Sequence, residues 1–177
     1  MGAFRYSLNG STIRTTPIME KIRVASLAGF EGIELWHEDI DEFLQKGGSL
    51  STLHKALCDY GLSVPTTIYL DKWFDANSIA WPKVLEECKR RMHQAASIKA
   101  SHIIAGPPSH KADMSLGAKR YRELIELGES INVLPSIEFL GFVEQINTID
   151  AALEVMEKSG HPKATTILDP FHIHRGN

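Results

Sequence analysis

At 177 residues, with 43% hydrophobic and 23% charged residues, the chain has the length and composition of one soluble domain with a sizeable core. Its net charge of −3, from 19 basic and 22 acidic residues, excludes the broad basic surface that nucleic-acid binding usually needs. No stretch approaches the roughly 18 apolar residues of a membrane span, and Met1, Gly2, Ala3, Phe4 and Arg5 lack the basic stretch and apolar core of a signal peptide. The expectation is a cytoplasmic protein with neither a membrane nor a nucleic-acid partner. Cys58 and Cys88 fall in segments that read as helices, and no CxxC occurs. They are expected to be two buried, reduced thiols rather than metal ligands or a disulfide.

Taken in chain order, β-rich apolar runs alternate with helical patterns. The first strand is expected at about Phe4 to Leu8. A helix follows from Pro17, suited to a first turn, to Ala28, with Gly29 as its stop. Gly32 to Trp36 reads as strand two. A second helix runs from Leu50 to Tyr60, capped by Ser49 and ended by Gly61. Strand three spans Leu62 to Tyr69. The helix from Trp81 to Lys99 has the clearest pattern, with Val84, Leu85, Cys88, Met92, Ala95 and Ala96 at helical spacing. Strand four, Ser101 to Ala105, closes at Gly106-Pro107-Pro108. A helix from Ser115 to Ser130 leads to strand five, Leu134 to Phe139. The last helix runs from Ile149 to Lys158, capped by Thr148 or Asn147 and ended by Gly160, and Thr165 to Leu168 is strand six.

Strand-helix alternation implies a parallel sheet covered by helices. A dinucleotide-binding sheet would place a glycine fingerprint after strand one, where Asn9-Gly10-Ser11-Thr12 stands instead, and no GxxxxGK[ST] phosphate loop occurs. Polar residues gather at the carboxyl ends of strands instead: Glu34, Glu138, Asp169 and His172. That is where barrel enzymes place their chemistry, so the expected fold is a (β/α)₈ TIM barrel. The long connections from Asp71 to Ala80 and from Gly106 to Met114 would lie over its mouth, with Trp73 and Phe74 as a lid. A complete barrel needs about 250 residues. The chain offers six strand-helix units at most, and is expected to be a single barrel domain, 1–177, that continues past Asn177.

Two strands end in a carboxylate after an apolar run: Ser136-Ile137-Glu138 and Ile167-Leu168-Asp169. Carboxylates on an inner rim are costly unless paired or metal-bound, and two converging from neighbouring strands make a site for a hard cation. These segments resemble the sugar phosphate isomerase/epimerase family of the xylose-isomerase-like superfamily. Phe30-Glu31-Gly32-Ile33-Glu34-Leu35-Trp36 is similar to that family's second strand and Ile137-Glu138 to its fifth. Gly160-His161-Pro162, leading into Asp169-Pro170-Phe171-His172, is similar to its sixth and is the most specific piece.

The resemblance implies one divalent metal ion, Mn²⁺, Mg²⁺, Co²⁺ or Zn²⁺. It makes Glu138 a ligand and the acid-base residue, Asp169 a second ligand, and His172 and Glu144 substrate contacts. The family's other two ligands, a histidine on strand seven and a glutamate on strand eight, have no counterpart in this sequence. The implied chemistry is proton transfer next to a carbonyl through an enediolate that the metal stabilises, in an isomerase or epimerase acting on a sugar or keto-polyol, phosphorylated or not. A dehydratase of an inosose or 3-dehydroshikimate type is the alternative. More remote are a non-catalytic relative and the superfamily's apurinic endonuclease branch, which needs further histidines and a basic groove. Glu34 either lines the site or bonds to neighbouring strands, Trp36 is either a wall of the sugar pocket or core, and Arg175 either anchors an anionic group or is a solvated loop residue. His102 and His110 read as structural or exposed, and His37 as a surface or packing residue. A homo-oligomer is left open.

Overall fold

The computed structural model describes residues 4–176; Met1 to Ala3, read above for a leader, lie outside them. The described chain is an α/β fold of five strands and seven α-helices. The strands are β1 (Ser7–Asn9), β2 (Gly32–Trp36), β3 (Thr66–Leu70), β4 (His102–Ala105) and β5 (Leu134–Ile137), in the sheet order β1-β2-β3-β4-β5. The helices are α1 (Ile18–Leu27), α2 (His37–Gln45), α3 (Leu50–Asp59), α4 (Trp81–Ser97), α5 (Met114–Ile131), α6 (Ile149–Ser159) and α7 (Pro170–Arg175). Sheet order equal to chain order is what successive strand-helix units produce. Among the described residues two compact units emerge, 4–68 with 93–102, and 69–92 with 103–176.

In the first unit β1 pairs parallel with β2 (Ser7 with Gly32, Asn9 with Glu34), and β2 with β3 (Leu35 with Thr67). Helices α1, α2 and α3 bury Ile22, Ala25, Ile40, Leu53 and Leu57 together with Ile33 and Leu35 of β2. The Ser49 hydroxyl caps α3 by accepting from Thr52 N, and Gly61 takes the left-handed φ of 65° that a chain leaving a helix needs. Buried Lys21 donates to Asp39 at 2.6 Å. His37, fully buried, bonds through Nδ1 to Gln94 Oε1 at 2.8 Å and through Nε2 to Thr67 Oγ1 at 3.1 Å, so it is a packing residue.

In the second unit α5 packs on α6 over a core of Trp73, Phe74, Tyr121, Leu124, Ile125, Ile137, Phe139 and Val155. Asp113 caps α5 and Thr148 caps α6, while Asn132 and Gly160 end them in left-handed conformations. Tyr121 holds the segment after α6 in place. Its hydroxyl donates to Thr165 O at 2.7 Å and accepts from Thr165 N at 3.1 Å, and burial raises its pKa to about 12.

Several expectations are corrected. Strand one begins at Ser7 rather than Phe4, and strand three at Thr66, because Pro65 has no N–H for the ladder and only Ser63 makes an isolated bridge. Strand six is a single bridge, Thr166 opposite Ile137, because Asp169-Pro170 starts a helix at once. Arg175 therefore belongs to α7, not to a loop, and is exposed. Trp73 and Phe74 are no lid: they are 0% and 1% exposed, with rings 5.1 Å apart and Trp73 against Tyr121. Cys88 is buried as expected, whereas Cys58 is exposed.

Candidate metal and proton-transfer site

The sixth segment is fastened to β5 by a short ladder. Ile137 N donates to Thr165 O, Ile167 N to Ile137 O, both at 3.0 Å, and the Thr166 hydroxyl to Ile137 O at 2.8 Å. The residue after Ile137 is Glu138, and two residues past Ile167 comes Asp169, so parallel pairing delivers both carboxylates to one end of the sheet. Glu138 N donates back to Ala105 O at 3.2 Å, extending the pairing of β5 with β4 to this point.

Asp169 then caps α7, its Oδ1 accepting from Phe171 N at 2.7 Å. That bond fixes the carboxylate, and the first turn of α7 carries His172 back over it. His172 Nε2 lies 3.8 Å from Asp169 Oδ2. Donor atoms of Glu138, Asp169 and His172 all lie within 4.8 Å of one another, with His172 buried and the two carboxylates half-buried. Oxygen donors sit about 2.0–2.6 Å from a divalent cation, so two donors on one ion are at most roughly 4–5 Å apart. The residues present therefore fit a hard cation: two carboxylates supply charge and oxygen donors at a compatible span.

His172 has a distinct character. The Gly141 amide donates to its Nδ1 at 3.3 Å, which leaves the ring proton on Nε2. Nε2 is then the ring nitrogen on the Asp169 side, 3.8 Å from Oδ2. Gly141 is required for the approach, since a Cβ there would stand 2.8 Å from Arg175 Cβ and 2.9 Å from His172 O. The edges of Phe142 and Phe171, with centroids 5.4 and 5.1 Å from the His172 ring, flank it and keep its orientation.

The structure thus brings together Glu138, Asp169 and His172. Arg175 is exposed at the last turn of α7, and Glu144 is exposed with its amide donating to Ser109 O at 3.2 Å. Glu34 and Trp36 belong to the first unit, at the carboxyl end of β2. There Glu34 accepts from Asn9 Nδ2 at 2.6 Å and from the Thr66 hydroxyl, and Trp36 Nε1 donates to Asn9 Oδ1 at 3.2 Å. Glu34 is thereby bonded to both neighbouring strands. Sequence reasoning missed the pairing of His110 with Asp75, whose Oδ2 lies 2.9 Å from His110 Nε2. The signal was weak: each residue sits alone in a loop, after β4 and β3, 35 positions apart. Among the described residues no helix is long and apolar enough to cross a membrane.

Comparison with known proteins agrees with this architecture. None of the curated proteins matches the sequence. Among solved structures, the IOLI protein with a bound zinc atom superposes with a TM-score of 0.86 at 19% identity, covering 97% of this chain and 64% of that one. The probable 3-DHS dehydratase AsbF of Bacillus anthracis, involved in petrobactin synthesis, gives 0.83 at 23% identity, covering 98% and 65%. D-psicose 3-epimerase in the presence of D-fructose gives 0.81 at 17% identity, covering 97% and 65%. At these identities the likeness shows a shared fold, a partial barrel spanning somewhat under two-thirds of these three chains. The family model for the xylose isomerase-like TIM barrel matches residues 22–177, and the chain belongs to that family.

Proposed function

We propose that this chain carries the proton-transfer half of a divalent-metal-dependent isomerase or epimerase acting on a sugar or keto-polyol. The observation that supports this is the convergence of Glu138, Asp169 and His172 within 4.8 Å. The zinc in the IOLI protein and the epimerase among the structural neighbours are consistent with it. Glu138 and Asp169 would hold the ion. When bound, a divalent cation supplies Lewis-acid polarisation of the substrate carbonyl.

The protein's own groups have separable tasks. Glu138, a half-buried carboxylate, takes the proton from the carbon beside the carbonyl. His172, with its proton on Nε2, donates to a substrate oxygen and so favours the negative charge that develops there. Asp169 is held by Phe171 N, which keeps one oxygen engaged and leaves Oδ2 on the His172 side. Glu144 and Arg175 are proposed as outer substrate contacts.

Proton exchange tests the proposal. The protein is incubated in D₂O with Mn²⁺ or Co²⁺ and a panel of D-fructose, hydroxypyruvate and an inosose, and loss of the α-proton is followed by NMR. Glu138→Gln should slow that exchange about 10²–10⁴-fold, the usual contribution of a positioned base. Exchange at the wild-type rate removes Glu138 from proton transfer. Growth of an absorbing enone or diketone in the same samples instead identifies a dehydratase, in which the same carbanion expels hydroxide.

A further inference from the structure

The second unit contains a cavity that the three-residue cluster does not use. It has a volume of about 400 Å³ and lies at the carboxyl ends of β3 and β4. Its polar lining includes Asp71, Lys72, Asp75, Ser109 and His110, with Tyr69, Pro107 and Pro108 supplying apolar walls. His110 is paired with Asp75 across the cavity at 2.9 Å, bringing the loop after β3 to the loop after β4. Lys72 stands at its edge in a left-handed conformation, φ 59°, which costs a non-glycine residue of order 1 kcal/mol and tends to persist at ligand sites.

Hydrogen bonds tie the walls of the cavity to the segment that carries Glu138. Gly106 in its wall directly follows Ala105, whose carbonyl accepts from Glu138 N. The loop that carries His110 is fastened on both sides of it to the chain beyond Glu138: Glu144 N donates to Ser109 O at 3.2 Å, and Ala112 N to Gln145 Oε1 at 2.7 Å. Gly106 is needed for the wall's shape, because a Cβ there would stand 2.9 Å from the Tyr69 ring.

We propose that this cavity receives the part of the substrate remote from the reacting carbon, that this part is an uncharged chain of hydroxyl groups, and that His110, positioned by Asp75, is the residue that hydrogen-bonds it. This rests on the function proposed above. The lining alternates donors and acceptors, which suits hydroxyls that both give and accept hydrogen bonds. It also argues against a phosphate: two carboxylates face one lysine and the paired histidine, and no arginine lines the cavity. The guanidinium groups of nearby Arg90 and Arg91 are spent on Glu87, with Nε atoms 2.8 and 2.9 Å from its oxygens. The proline and tyrosine faces would cover C–H groups.

Binding measured without turnover tests this. Ligand-observed NMR and the His110 ring resonances are followed as D-fructose, D-fructose 6-phosphate or inorganic phosphate is added to the Mg²⁺-containing protein. D-fructose should shift the His110 ring signals, and it should bind at least tenfold more weakly to His110→Ala, with partial recovery in His110→Gln. Stronger binding of the phosphorylated sugar or of phosphate to this cavity, or equal D-fructose affinity in His110→Ala and wild type, overturns the proposal. Loss of proton exchange in Glu138→Gln alongside an unaffected His110→Ala would sink the subsite while leaving the proton-transfer function in place. The opposite pattern would keep the subsite and sink that function.

Discussion

Replacing Gly117 by alanine sets two effects of opposite sign against each other. Gly117 lies inside α5, where alanine is favoured over glycine by about 1 kcal/mol. A Cβ at this position, however, would run into Cζ, Cε1 and Cε2 of Phe74, well inside van der Waals contact. Phe74 cannot easily yield. It is 1% exposed, its ring is 5.1 Å from that of Trp73, and Trp73 rests on Tyr121, whose hydroxyl is tied to Thr165. Overpacking a core costs about 1–3 kcal/mol, and three ring atoms against a pinned neighbour put this case at the upper end. The net is a destabilisation of about 2 kcal/mol, or roughly 4–8 °C in Tm for a chain of this length. Thermal unfolding followed by near-UV circular dichroism, which reports on the Trp73–Tyr121 packing, measures it. A variant as stable as the wild type would show that the 71–80 loop is not anchored through Phe74, and would reopen its reading as a movable lid.

Acid titration should single out Glu87. A hydrogen bond from Arg90, assisted by Arg91, lowers its pKa from 4.5 to about 2 in the folded state. A carboxylate depressed in this way contributes stability above pH 4.5 that fades as pH falls toward 2, so Glu87→Gln should flatten the stability curve in that window. At neutral pH the difference should be small, since the side chain is 43% exposed; identical acid curves would refute the assignment. Thiol labelling should separate the cysteines. At pH 8 an aromatic disulfide reagent should modify one thiol per native chain, because Cys58 is exposed while burial holds the Cys88 thiol at about 12. Cys58→Ser should abolish the native reaction, and continued reaction at the same rate would contradict the burial of Cys88.

Much of the fold was legible because local signals agreed with one another. Ser49, Thr148, Gly61 and Gly160 mark helix ends by capping chemistry that depends on a few residues; Ser49, Gly61 and Gly160 stand where the sequence puts them, and Thr148 is the one of its two candidates, Thr148 or Asn147, that caps α6. Helix α2 was missed because it follows β2 without a break: Trp36 ends the strand and occupies the cap position, with no turn residue between. Its signal was the spacing of His37, Ile40 and Leu44, with Glu38 and Asp39 in the first turn. Helix α7 hid behind the motif reading. Asp169-Pro170 is a cap followed by a first-turn proline, and the same carboxylate that was read as a ligand also starts a helix. The burial of Trp73 and Phe74 was not readable locally. It depends on Tyr121 and Gly117, more than forty positions away, and a loop aromatic looks the same in sequence whether it covers a site or fills a core. In the candidate site, the residue types were legible from strand ends, whereas the His172 tautomer is set by the amide of Gly141, a contact 31 positions apart.

Titration with Mn²⁺, followed by the loss of the free-ion EPR signal, addresses the two carboxylates most directly. Wild type should take up one ion per chain. Glu138→Gln and Asp169→Asn should each weaken that uptake by more than about tenfold, while Asp169→Asn, whose amide oxygen still accepts from Phe171 N, keeps α7 folded. No uptake by the wild type, or an ion bound equally well by both variants, would mean that Glu138 and Asp169 do not share a cation.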